Sequence, residues 1–130
     1  MNTDPIADML NRIKTSQAVG QKTVRVPYSK FKYEIAKILE KKGWIGVVEK
    51  GGKKIGRMLK IELKYEEGEP VITKIVRVST PGQRIYLPAN KIKKVRDGFG
   101  MSIISTPKGL KTNYEARQSG LGGEILIEIY

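Results

Sequence analysis

The segment RMLKIELKY, Arg57 to Tyr65, constrains the fold most tightly, because from Leu59 onward its apolar and charged residues alternate strictly. Leu59, Ile61, Leu63 and Tyr65 fall on one side of a two-residue repeat, and Lys60, Glu62 and Lys64 on the other. That pattern suits a strand with one face buried and one face wet. The GGKK just upstream, Gly51 to Lys54, is a Gly-Gly hairpin signal, so WIGVVEK before it is expected to be the antiparallel partner.

The elements that would cover this strand pair lie further upstream. Asp4 can cap a helix with Pro5 at its first position, and Ile6, Met9, Leu10 and Ile13 recur at helical spacing. Gly20 breaks that pattern. KTVRVP then predicts a short strand with Val24 and Val26 on one face and Arg25 on the other. Ser29 can cap a second helix with Phe31, Ile35, Ile38 and Leu39 as its apolar stripe. Lys41 and Lys42 suit its carboxy-terminal dipole, and Gly43 ends it. The first part therefore reads α-β-α-β-β.

EEGEP, Glu66 to Pro70, is a polar link and the expected boundary, which divides the chain into lobes 1–65 and 66–130. Beyond it come VITKIVRVS, a Pro-Gly turn, QRIYLP, a basic helical turn around NKIKKV, and the strand MSIIS. Thr112 with Glu115 forms a capping box for NYEARQS, closed by Gly120. EILIEIY follows, with Ile125, Ile127 and Ile129 expected on one face. The fold class is α+β: two small lobes, the second mostly β with short helices.

Charge then narrows the function. The net charge is +12; up to Tyr65, fifteen bases face six acids, and the remainder carries only +3. A field of this size favours a polyanion, nucleic acid first and an anionic membrane surface second. No basic amphipathic helix with a bulky apolar face stands out, no apolar run nears the roughly 18 residues of a membrane helix, and no leader pattern opens the chain. No membrane partner is expected. The chain has no cysteine, hence no disulfide or thiolate chemistry. It also has no histidine, which removes the commonest general base and the histidine-based zinc sites. Neither a cofactor nor a metal is expected.

Enzymatic motifs fail on spacing. Gly46 to Lys53 lacks the glycine-lysine-hydroxyl order of a Walker loop, and GFGMSI lacks the third glycine of a dinucleotide fingerprint and precedes a strand. Asp4 and Asp8 lie four apart, and Glu66, Glu67 and Glu69 cluster, but a cap and a solvated linker account for both groups. A carboxylate-dependent nuclease or phosphotransferase is the alternative from another class.

ISTPKG, Ile104 to Gly109, suits contact with nucleic acid. Ser105 and Thr106 can donate to phosphate, sugar or base edges, and Lys108 supplies charge. In GLGGE, Gly122 and Gly123 leave no side chains between backbone and ligand, and Glu124 can accept from a 2′-hydroxyl or a guanine amino group, or brace the loop. Two ordinary turns explain the same residues equally well. Tyr86 could stack on an unpaired base, or simply pack. Lys30 and Lys32 open the second helix, where cations oppose the dipole unless an anion is near; a solvated helix end is the simpler account. A binder of double-stranded nucleic acid by charge alone is the other alternative.

Several separated blocks carry a resemblance over nearly the whole length. DPIADMLNRI, VPYSK, RVSTPGQRIY and GLGGE stand in register, and the run GFGMSIISTPKGLKTNYEARQSGLGGE, Gly98 to Glu124, is the most specific. The chain resembles the bacterial family of the eighth protein of the small ribosomal subunit. The resemblance implies a non-enzymatic cytoplasmic protein of the ribosome. It implies direct binding to the central domain of small-subunit ribosomal RNA, neighbouring ribosomal proteins as partners, and a monomer outside the ribosome. It also implies repression of its own operon through a messenger segment that mimics the ribosomal site. Carried over, the RNA contacts fall on Ser105, Thr106 and Lys108, completed by Gly122, Gly123 and Glu124, with Tyr86 and Lys30 less central. The family usually reads serine-threonine-serine in the loop; here Pro107 takes the third place, which removes a hydroxyl and a backbone N–H and stiffens the turn.

Overall fold

The computed structural model describes residues 4–52 and 56–130, so Lys53 and Lys54 of the expected GGKK turn lie outside the described residues. The backbone divides into two compact units, 4–72 and 73–130.

In the first unit, α1 (Pro5–Ala18) starts where Asp4 Oδ1 accepts from the Ala7 N–H at 3.1 Å, with Pro5 at its first turn. β1 (Thr23–Pro27), α2 (Lys30–Lys41), β2 (Val48–Gly51) and β3 (Met58–Glu62) follow, matching the expected α-β-α-β-β order. The sheet runs β1-β3-β2, all antiparallel. Val24 faces Ile61, Val26 faces Leu59, and Val48 faces Ile61, so the apolar residues share one face and Arg25, Lys60 and Glu49 the other. α1 lies against β1 and α2, and α2 against β2. Met9, Ile13, Ile35, Leu39, Leu59 and Ile61 are fully enclosed; each such side chain contributes about 1.5–3 kcal/mol relative to exposure.

Two expectations shift here. The buried stripe of α2 is Lys32, Ile35, Ala36 and Leu39, while Phe31 is exposed. A lysine's four-carbon stem is apolar and can lie along a core. The EEGEP segment is not an open link. β4 (Tyr65–Glu66) and β5 (Glu69–Pro70) pair around Glu67 and Gly68, both with positive φ. That backbone, left-handed at both central residues, is the one a two-residue hairpin needs. Tyr65 Oη donates to the Gln21 carbonyl at 2.6 Å, and Gln17 Nε2 donates to the Ile72 carbonyl, so the hairpin belongs with the first unit and the division falls after Ile72.

The second unit is mostly strand: β6 (Ile75–Arg77), β7 (Tyr86–Leu87), β8 (Met101–Thr106), β9 (Gly109–Thr112) and β10 (Gly123–Ile129), with α3 (Asn113–Gln118) and 3₁₀ turns at Ala89–Lys91 and Arg96–Gly98. The sheet order is β6-β10-β8-β9, with β7 also on β10. The capping box at α3 is present: the Thr112 hydroxyl accepts from the Glu115 N–H, and the Glu115 carboxylate from the Thr112 N–H.

β10 departs from plain alternation. Ile125 faces Ile104 but Ile127 faces Ile103, with a bulge between them. Ile103 and Ile104 are neighbours on β8 and point to opposite faces. Ile125 is therefore separated from Ile127 and Ile129, contrary to the expected single face. An extra residue inserted in one strand has that effect. Ile125 joins Ile92, Ile104 and Ala116 in a buried cluster under the α3 side of the sheet.

Candidate nucleic-acid interface

The strand register assembles the site. Glu124 on β10 pairs with Tyr86 on β7 and with Ser105 on β8, and Ser105 pairs with Leu110 on β9. Residues opposite one another across a ladder share a face. Tyr86, Glu124, Ser105 and Leu110 therefore form one row across four strands, although they come from distant parts of the sequence.

A buried serine sets the position of Tyr86. Ser79 Oγ accepts from the Ile85 N–H at 2.8 Å and donates to the Ile85 carbonyl at 3.3 Å, closing the Pro81-Gly82 loop, which Thr80 and Gln83 also bridge. The chain thus enters β7 at a fixed point, and Tyr86 is 66% exposed on its face of the sheet.

Ser105 ends the expected strand MSIIS, and Thr106, expected in the turn after it, extends β8 by one residue; the turn is only Pro107 and Lys108. Thr106 is buried, and its Oγ1 donates to the Gly109 carbonyl at 2.7 Å and accepts from the Lys108 N–H at 3.2 Å. Its hydroxyl proton is committed to closing the hairpin. Ser105, partly exposed on the row, has the freer hydroxyl, and Lys108 stands exposed at the tip.

Packing within the sheet itself requires glycine at 122 and 123. A Cβ on Gly123 would run into the Ser105 carbonyl, and one on Gly122 would come within 2.6 Å of the Leu87 carbonyl. What presses on them is neighbouring backbone, so the glycines let β7 and β8 close on β10. They build the row.

Glu124 is nearly enclosed, its side chain 12% exposed, and Oε2 accepts from Arg84 Nη1 at 3.1 Å. The brace role raised from the sequence is thus present in the geometry. Arg84 is the residue that sequence reasoning missed. Its signal was there, since it lies two positions before Tyr86 and so on the same side of an extended chain.

Lys30 is not in this row; it is the exposed first residue of α2 in the first unit. Lys32 is not a solvated helix end, being 6% exposed, with burial lowering its pKa below the usual 10.5. Asp4 caps α1 and Asp8 pairs with Arg12 at 3.0 Å, so both carboxylates have structural partners. Among the described residues, no helix is long and apolar enough to cross a membrane.

The model of one family, ribosomal protein S8, matches residues 4–130. The chain belongs to the ribosomal protein S8 family. This is a family of structural proteins of the ribosome, not of enzymes. Among its relatives, the small ribosomal subunit protein uS8 of Ruegeria sp. (strain TM1040) is 45% identical over 128 residues, 98% of either chain. The protein of that name from Acidithiobacillus ferrooxidans (strain ATCC 53993 / BNL-5-31) is 48% identical over 127 residues, covering 98% of this chain and 97% of that one. Similarity over that span makes the S8 likeness one of the whole chain, both units included.

Proposed function

We propose that this S8-family chain is a structural constituent of the small ribosomal subunit that binds the central domain of its ribosomal RNA directly, early in assembly. It works in the cytoplasm as part of the ribosome, beside other small-subunit proteins. The observation that carries this reading is the row Tyr86–Glu124–Ser105, with Lys108 at the adjoining hairpin tip. It combines an exposed aromatic face, a fixed carboxylate, a hydroxyl and a cation within one patch. That inventory matches an RNA helix with an irregular core, because regular A-form duplex exposes few base edges to side chains. Tyr86 offers a stacking surface, and Ser105 and Glu124 offer a donor and an acceptor to base edges or a 2′-hydroxyl. Lys108 neutralises phosphate. The positive first unit, Lys30 included, adds salt-sensitive attraction.

The same surface would accept a messenger segment shaped like the ribosomal site, and repression of the protein's own operon follows as part of the proposal. The test is retention of labelled small-subunit RNA on a filter in the presence of excess bulk transfer RNA. A complex that survives the competitor is expected. Ready displacement would show attachment by charge alone and overturn the reading.

A further inference from the structure

A second group of cations in the 73–130 unit surrounds a pit that the row does not include. The pit has a volume of about 390 Å³ and lies between the segment Ile92–Lys94 and α3. This falls in the range of about 300–1,000 Å³ typical of ligand sites. Its two walls are tied together by a buried side chain. Asn113 Oδ1 accepts from the Ser102 N–H at 3.1 Å, and Asn113 Nδ2 donates to the Lys93 carbonyl at 3.2 Å. The pit is thus part of the folded framework.

Its chemistry is uneven in an informative way. Lys93, Lys94 and Arg117 are exposed around it, and among the described residues none of their side chains forms a hydrogen bond or ion pair. Three unpaired cations about one concavity repel one another and favour an anion there. Tyr114, 44% exposed, lines the same pit, and its hydroxyl is shared between the Gly98 and Gly100 carbonyls at 3.2 and 3.3 Å. What Tyr114 can offer a ligand is therefore its ring. An aromatic face bordered by cations matches an unpaired nucleotide, whose base stacks while its phosphates are neutralised. An amphipathic helix would need a broad apolar groove, and here the apolar surface is little more than Tyr114 and the buried Ile92.

We propose that this pit is a second RNA-contact site, taking one unpaired nucleotide with its base on Tyr114 and its flanking phosphates on Lys93, Lys94 and Arg117. The inference rests on the RNA-binding reading above for the class of partner, but on different residues.

The test uses the full chain with two probes, small-subunit ribosomal RNA and a single-stranded oligouridylate. Tyr114→Leu should weaken both by about ten-fold, within the range for loss of one base–aromatic stack. Tyr114→Phe loses the same two carbonyl contacts but keeps the ring, and should bind within about two-fold of the parent, which separates stacking from folding. Changing Lys93, Lys94 and Arg117 together to Gln should flatten the log–log salt slope for the oligouridylate by about two. Ultraviolet crosslinking should attach RNA to the peptide containing Tyr114. If Tyr114→Leu and the triple variant bind like the parent while Lys108→Ala weakens ribosomal RNA, the second site is overturned and the first reading stands. If none of these changes matters, the RNA-binding reading itself fails. Crosslinks in assembled subunits that join Tyr114 only to an acidic protein segment would assign the pit to a protein and also overturn the proposal.

Discussion

Arg84 Nη1 donates to Glu124 Oε2 at 3.1 Å, the guanidinium half exposed and the carboxylate almost enclosed by the sheet. The pair holds an acid in a surface otherwise suited to phosphates, and it fixes one carboxylate oxygen of Glu124. Removing Arg84 leaves the enclosed carboxylate without that partner. Arg84→Ala should therefore lower stability by about 1 kcal/mol, the upper end for an ion pair with one exposed member. It should also weaken ribosomal RNA binding more than it flattens the salt dependence, because the loss is one of positioning. Urea denaturation and a filter-binding salt titration measure the two effects. A fall in salt slope with no change in selectivity over transfer RNA would reduce Arg84 to a plain phosphate contact.

Lys108 sits at the exposed tip of the β8–β9 hairpin, where a side chain can reach phosphate without disturbing the sheet. Lys108→Ala should weaken ribosomal RNA binding and flatten its log–log salt slope by about one unit, with little change in stability. An unchanged slope and affinity would remove Lys108 from the contact surface.

Ser105 and Thr106 are adjacent hydroxyls with opposite prospects. Thr106→Val removes the two hydrogen bonds that close the hairpin and should cost about 1–2 kcal/mol of stability. Ser105→Ala should leave the thermal unfolding midpoint nearly unchanged yet weaken cognate RNA more than an unrelated duplex. Equal losses on both RNAs would mean that Ser105 carries no selectivity.

Lys32 gives a pH signature unrelated to RNA. Burial lowers its pKa; Asp8 opposes the shift and Arg12 adds to it. The unfolded chain then holds this proton to higher pH than the folded one. Between the folded value and 10.5 the unfolded state binds more protons, so stability rises with pH through that window. Lys32→Met keeps the buried stem and removes the titration. The variant should be the more stable form below the window, and its advantage should shrink as pH rises through it. Urea midpoints for both proteins across alkaline pH provide the measurement; a constant difference would refute the assignment to Lys32.

How much of this was legible in the sequence depended on whether the signal was local. The alternation of Leu59, Ile61 and Leu63, the Asp4 cap and the Thr112–Glu115 box involve neighbours only, and the structure has them as expected. The separation of Ile125 from Ile127 comes from a bulge defined against Ile103 and Ile104, which no reading of β10 alone supplies. The buried face of α2 was misplaced because Phe31 outranks Lys32 in hydropathy, while packing selected Lys32, Ile35, Ala36 and Leu39 at unbroken helical spacing. In the candidate site, residue types were readable but partners were not. Nothing in GLGGE says that Gly123 makes room for the Ser105 carbonyl, or that Glu124 meets an arginine forty residues earlier.

Pro107 stands where the family resemblance implies a serine, and the geometry of the hairpin accommodates proline there. It occupies the second position of the Thr106–Gly109 turn, where proline's fixed φ is favoured, and Gly109 takes the left-handed conformation at the fourth. The neighbouring Thr106 hydroxyl already satisfies the Lys108 N–H, so the turn does not depend on a side chain at 107. Pro107→Ser should lower stability by about 0.4–1 kcal/mol, since the unfolded chain regains freedom that proline removes. The same variant should bind ribosomal RNA more tightly, by about five-fold if the regained hydroxyl makes one ordinary hydrogen bond. Reduced stability with tighter binding means that the loop has exchanged a contact for rigidity. Reduced stability with unchanged or weaker binding means that position 107 does not face the RNA in this chain, and leaves the hairpin's proposed contacts to Ser105 and Lys108 alone.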